Sequence, residues 1–293
     1  MFSIKKSNVA ILIIGVALPS CLKNIGNPEN NFLEIQKCFA YENRDVMFDI
    51  ITWNVPDFPV NDNEAIERLS AMVTASGADI LALQEIEGAE KFSDLLAFLP
   101  GYTGFINAAS DQNPAFLVGK ESRLNIIEAR ALFEDDPYAF PRPALMISAV
   151  NAAGDTMILI NLHLKCCDGE VNEARRQAGL DKLKQFVDGH FYNDKLIILG
   201  DFNEEITGPG GRSVFHQFLS DSLNFRFADL LLANGPSSGW SYPEWPSHID
   251  HFLISNEWFE DDYSVVCLTP ELCDSTYFTT ISDHRPLLLR VRL

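Results

Sequence analysis

Six short segments of this 293-residue chain close apolar runs with residues able to do chemistry. They are Thr52-Trp53-Asn54, Leu83-Gln84-Glu85, Asn161-Leu162-His163, Gly200-Asp201-Phe202-Asn203, Ile249-Asp250-His251 and Ser282-Asp283-His284. One glutamate or histidine at a strand end is ordinarily a solvated or structural group, but six such segments together describe a site. Glu85, Asn54, Asp201, Asn203 and Asp283 offer oxygen donors, which suit Mg2+ or Mn2+ rather than a soft thiolate-bound metal. An ion of that kind sits against phosphate oxygens. Phosphate ester hydrolysis needs an activated water, donors to meet charge building on the phosphorus oxygens and help for the departing alkoxide, and carboxylate, amide and imidazole groups beside a metal supply all three. A carboxylate next to an imidazole raises its pKa, which makes His163 and His284 the expected charged donors.

The elements that must position these groups read as strands at Met47–Asn54, Asp79–Glu85, Ala115–Gly119, Leu145–Val150, Thr156–Leu164, Lys195–Leu199, Ile249–Ile254 and Pro286–Leu293. Most are short apolar runs ending on Asn, Glu, His or Asp, as buried strands do when they deliver polar groups to one rim of a sheet. Helical spacing lies between them. Ala65, Leu69, Met72 and Val73 follow the capping candidates Asn61 to Asn63, and Leu180, Leu183 and Val187 share a helix with Arg175, Arg176, Lys182 and Lys184. That alternation predicts layered sheets with helices outside. The basic residues on the second helix read as a solubilising surface, with tracking of a phosphate backbone as the alternative.

In order and content, the six segments over residues 46–293 resemble the endonuclease/exonuclease/phosphatase superfamily, with Gly200-Asp201-Phe202-Asn203 and Ser282-Asp283-His284 the most specific. The resemblance implies an α/β fold: a four-layered sandwich of two central mixed sheets flanked by helices. It also implies a metal-dependent phosphodiester hydrolase using Mg2+ or Mn2+. Glu85 would be the principal metal ligand and Asn54 its partner, with Asp283 near the same ion or a second one. Asp201 would orient or deprotonate the attacking water, and Asn203 would hold water and phosphate. His284, polarised by Asp250, would contact the scissile phosphate, or that pair would be the general base. His163 matches the deoxyribonuclease-like and sphingomyelinase-like pattern rather than the abasic-site repair branch, and Arg142 resembles a basic residue used on phosphate, a surface arginine between two prolines being the other reading. Pro56 replaces the second acidic residue that several repair members carry, leaving no support there for a second metal.

Substrate class is less determined. His251 stands where inositol phosphatase members carry arginine, and Trp240-Ser241-Tyr242-Pro243-Glu244-Trp245-Pro246 has no basic residue, which disfavours an inositol polyphosphate. Its aromatics suit stacking on a base, dipping into a lipid interface or covering a sheet edge. His248 and His251 read as packing groups around Asp250. An exported nuclease is the first expectation. A phospholipid or small phosphate ester hydrolase is the second, and a catalytically silent binding lipoprotein the third. A monomer is expected.

Composition bounds these readings. With 47% hydrophobic and 22% charged residues and a mean hydropathy of +0.01, the chain is neither a disordered polar polymer nor a polytopic membrane protein. A net charge of −19 argues against a protein that coats nucleic acid through many basic contacts. Lys5 and Lys6 precede the apolar stretch Val9 to Leu18, so residues 1–20 read as an export signal. Leu18-Pro19-Ser20-Cys21 resembles a lipobox, implying a lipid anchor at Cys21 on the bacterial envelope, or free secretion, with residues 21–45 as a polar tether. The remaining cysteines allow a bridge from Cys166 or Cys167 to Cys267 or Cys273 in an oxidising compartment. No spaced pair supports zinc.

Overall fold

The structure is a computed structural model that describes residue 38 and residues 47–59, 62–208 and 210–292. The expected signal and most of the tether lie outside the described residues. No helix among them is long and apolar enough to cross a membrane.

Two six-stranded mixed sheets form the centre. The first runs β11 (Tyr263–Cys267), β12 (Leu287–Val291), β1 (Phe48–Phe58), β2 (Ile80–Ile86), β4 (Asn113–Gly119) and β3 (Tyr102–Ile106). The second runs β5 (Asn125–Leu132), β6 (Ala144–Val150), β7 (Thr156–His163), β8 (Lys195–Asp201), β10 (Asp250–Ser255) and β9 (Phe225–Phe227). Each has one parallel pair, β1 with β2 and β7 with β8, and both pairs are internal. Helices α1 (Asp62–Ser76) and α2 (Ala89–Ala97) cover the first sheet, and α3 (Glu170–His190) covers the second. Four layers result, as the resemblance implied.

Alternation along each strand sorts the core. Ile51, Trp53, Leu81 and Leu83 pack outward with α1 and α2, while Ile50, Ile80 and Ala82 face the other sheet and meet Leu159, Ile197, Leu199 and Phe252. Ile158, Ile160, Ile198 and Leu253 pack outward with α3. Strands buried on both faces read as continuous apolar runs, which made them legible in sequence. The four strands that the sequence pattern does not reveal, β3, β5, β9 and β11, are the four sheet edges. Edge strands are short or mixed in polarity; β5 and β11 contain mostly half-buried or exposed residues.

Two expectations are corrected. The disulfide joins Cys38 to Cys273, whose Cα atoms lie 6.1 Å apart, and Cys166, Cys167 and Cys267 are free thiols. Nor do the basic residues of α3 form a simple solubilising face. Arg176 is buried, donating to Glu204 at 2.8 Å and to the carbonyls of Lys165 and Cys167, and Lys184 is buried between Asp188 and Asp221. Both tie α3 to neighbouring loops, because a cation withdrawn from water needs a partner.

Gly200 shows how closely the second sheet is drawn together. It pairs with Leu162 of β7 at a φ of +137°, and a Cβ there would run into the Leu162 carbonyl. Gly200→Ala is expected to destabilise the protein by about 3 kcal/mol or more, measured by urea denaturation. A loss under about 1 kcal/mol would show that the β7–β8 pair can yield.

Candidate active site

The two-residue period that sorts the core also assembles the site. Asn54, Gln84, Asn161, His163, Asp201 and Asp250 stand on the same strand faces as the residues between the sheets, at one end of that layer. Beneath the site, Gln84 Nε2 donates to Asn161 Oδ1 at 2.8 Å and to Thr52 Oγ1 at 3.1 Å. Asn161 Nδ2 donates to the carbonyls of Leu83 and Ala115. This buried amide pair joins the sheets and forms the floor of the cleft. Both residues lie in the sequence segments, but nothing in the sequence shows that they would face each other.

Glu85 breaks the alternation. Its φ of +64° lies in the left-handed region, and the β1–β2 and β2–β4 registers shift beside it. A non-glycine residue held there signals a local constraint. Its carboxylate accepts Asn54 Nδ2 at 3.1 Å, Gln112 Nε2 at 2.7 Å and the Asp57 amide at 3.3 Å. Asn54 Nδ2 also donates to Asp201 at 2.9 Å, linking the sheets a second time. Asp201 Oδ1 accepts the Asn203 amide at 2.8 Å, and the Asn203 side chain donates to Leu164. Ser282 fastens the last motif: its hydroxyl donates to the Asn54 carbonyl at 2.6 Å and accepts the His284 amide at 2.9 Å.

The two histidines are held in opposite protonation states. His284 Nδ1 lies 2.8 Å from Asp250. Burial opposes its charge, but Asp250, then Asp201 and Asp283, outweigh burial and push it up to about 10. His163 approaches Asp201 at 3.5 Å and Glu85 at 3.7 Å, too far for good hydrogen bonds. Burial, followed by the charges of Arg142, His284 and Lys165, keeps its imidazole well below the usual range. The expectation of two charged imidazoles is therefore corrected: His284 is a cation and His163 is neutral. Burial and the charge of Asp250 push Asp201 up to about 7, against His284 and Asn54. A carboxyl poised near neutrality beside a fixed cation is suited to proton transfer.

Hydrogen bonds, close approaches and charge thus bring the predicted residues Asn54, Glu85, His163, Asp201, Asn203, Asp250, Asp283 and His284 together at one end of the layer between the sheets. Arg142 stands at its rim, its Nε donating to Gln112 at 3.0 Å, and reaches Glu85 only through that amide. Gln112, near the start of a central strand, carried no sequence signal. Tyr242 packs its ring 4.8 Å from that of His284, and burial together with Asp283 pushes its phenol upward. Trp240 instead donates to the Leu232 carbonyl. His248 and His251 take packing roles: both bond the buried Asp229, and His251 lies among Phe202, Phe215 and Phe227. Burial would raise the Asp229 carboxyl, but these histidines hold it well below the usual range.

The donor set fits a hard divalent cation. Asn54 Oδ1 and Asp283 Oδ1 are buried oxygens with no hydrogen-bond partner among the described residues, and Glu85 supplies a carboxylate beside Asn54. Buried acceptors are rarely left so. The grouping of Asp201, Asp250 and His284 within 4.8 Å is a weaker ligand set, since the charged His284 has no free nitrogen lone pair.

A family model described as Endonuclease/Exonuclease/phosphatase family matches residues 51–284. No curated protein matches the sequence. Among solved structures, D. rerio TDP2 complexed with a single strand DNA product is 15% identical with a TM-score of 0.66, covering 85% of this chain and 100% of that one. A mannosyl-6-phosphatase of Bacteroides thetaiotaomicron is 16% identical with a TM-score of 0.62, covering 84% and 100%. The human Nocturnin catalytic domain with bound sulfate is 20% identical with a TM-score of 0.61, covering 86% and 95%. At these identities the likeness is one of fold.

The charge on His284 has a stability consequence. A pKa raised on folding contributes stability that is complete below the unfolded value of about 6.5 and is lost as pH climbs toward the folded value. The urea midpoint of the metal-free protein should therefore fall between about pH 7 and about pH 10, and Asp250→Asn should flatten that slope. An equal slope in the variant would mean that Asp250 does not hold the charge.

Proposed function

Because the chain belongs to the endonuclease/exonuclease/phosphatase family, we propose that it is a metal-dependent phosphodiester hydrolase whose substrate is nucleic acid. One observation carries this reading: a carboxyl poised near neutrality, Asp201, lies between a neutral and a charged imidazole, beside buried oxygens left free for a cation. Glu85, Asn54 and Asp283 would hold Mg2+ or Mn2+, which when bound polarises the phosphoryl group and offsets its charge. Asp201 accepts the proton of the attacking water, its orientation fixed by Asn54 Nδ2 and the Asn203 amide. His284 donates from Nε2 to a phosphoryl oxygen while Asp250 keeps Nδ1 occupied and the ring charged. A cation held there at neutral pH meets developing charge without reorganisation. Neutral His163 presents an N–H toward the same space, and Asn203 positions water and phosphate.

Among the structural neighbours, one is described with a DNA product and another as a sugar phosphatase, which supports phosphoester chemistry without fixing the substrate. A phospholipid diester is the second reading, favoured by Trp245, which is 71% exposed just ahead of the site. Export is part of the proposal. It is supported by the apolar stretch before Cys21 and by the Cys38–Cys273 disulfide, a bond that persists mainly in oxidising compartments.

With Mg2+ the protein should cleave plasmid DNA faster than it turns over sphingomyelin or p-nitrophenyl phosphate, and chelation should abolish the activity. Asp201→Ala and His284→Ala should each lower the rate by at least about a hundredfold. Wild-type rates in either variant would refute the site, and faster turnover of sphingomyelin would move the substrate to lipid.

A further inference from the structure

Beside the active site opens a cavity of about 460 Å3. Arg142, Lys165 and Arg175 line it together with Gln112, Asp57 and Asp111. In a chain of net charge −19, basic side chains are commonly consumed by acidic neighbours, as in Arg176 with Glu204, Lys195 with Asp261 and Arg285 with Glu271. The three cations of this cavity have no carboxylate partner among the described residues. Arg142 is bound to the neutral amide of Gln112, and Arg175 to the carbonyls of Tyr138 and Pro137. Lys165 Nζ donates to the Cys166 thiol at 3.2 Å. Of the two acids present, Asp57 accepts Gln112 Nε2 at 2.8 Å and Asp111 is exposed. Cations outnumber carboxylates three to two, so the cavity favours an anion.

It is also joined to the reacting centre. Gln112 donates to Glu85 at 2.7 Å on one side and accepts Arg142 on the other.

We propose that this cavity is a subsite for a second phosphate, next to the one hydrolysed, with Lys165 as its free donor and Arg142 and Arg175 beside it. The inference rests on the hydrolase reading above and narrows it. A substrate with successive phosphates fills the cavity, whereas a diester with a single anion, such as a zwitterionic phospholipid, leaves three cations unmatched. An ammonium group with no competing carboxylate forms a charge-assisted hydrogen bond to such a phosphate.

The test uses the full chain with Mg2+ and two chromogenic substrates: the nitrophenyl ester of thymidine monophosphate, and the same ester carrying an extra phosphate on the free sugar hydroxyl. Lys165→Ala should raise KM for the doubly phosphorylated ester about tenfold, leaving its kcat and the KM of the simple ester within about twofold. Lys165→Arg should retain most of the wild-type affinity. Equal effects on both esters, or none on either, would overturn the subsite while turnover itself upholds the hydrolase. If neither ester turns over, the hydrolase reading fails by itself. The subsite is then read by calorimetric titration of thymidine bisphosphate in chelator: binding weakened at least about fivefold by Lys165→Ala supports it, and equal affinity overturns it. A Lys165-dependent gain that extends to oligothymidylate assigns the second phosphate to a polynucleotide strand, and one confined to the bisphosphate assigns it to a small ester.

Discussion

Polar groups buried between two apolar sheets must satisfy one another, and the site depends on that constraint. Transfer of an amide or carboxylate from water into such a layer is costly unless it finds a partner. Gln84 and Asn161 pair across the sheets, and above them Asn54 reaches Glu85 on one side and Asp201 on the other. These bonds fix the separation and register of the two sheets where chemistry is proposed. Ser282 and Tyr277 extend the lock to the last motif, since the Tyr277 hydroxyl donates to the His284 carbonyl and receives Trp53 Nε1 at 2.9 Å. The reactive groups are therefore held by strands and not by free loops, which suits a site that must not reorganise during reaction.

The same burial differentiates residues of one type. His163 and His284 are both almost fully enclosed, yet only His284 has a carboxylate at hydrogen-bond distance, so it keeps its proton while burial strips the proton from His163. Asp201 and Asp229 diverge for a similar reason. Asp201 shares its surroundings with a second carboxylate and is raised, whereas Asp229 is enclosed by two imidazoles and is lowered. Low dielectric surroundings amplify whichever neighbour is present. Charge economy over the whole chain follows the same rule, since cations on α3 that a linear pattern assigns to water are drawn inside by Glu204, Asp188 and Asp221.

Legibility tracked environment. Internal strands were readable because burial on both faces demands unbroken apolar runs, and the residues ending them stood out against that background. Edge strands β3, β5, β9 and β11 were not, since one side of each lacks a partner strand and their sequences carry no comparable demand. Gln112 is silent in the sequence for a different reason: an amide at the mouth of a strand is like any other, and only the fold sets it between Glu85 and Arg142. The disulfide is silent because Cys38 and Cys273 are 235 positions apart, and spacing carries no information at that range.

By itself the sequence determined the layered α/β architecture, the motif residues and the hard-oxygen character of the site, because periodicity and side-chain chemistry are local properties of the chain. Tertiary structure alone decided which histidine is charged, which cysteines join, and that Arg142, Lys165 and Arg175 converge with no acidic partner among the described residues. Those are matters of distance and dielectric between residues remote in the chain, and they exist only once the two sheets have been brought face to face.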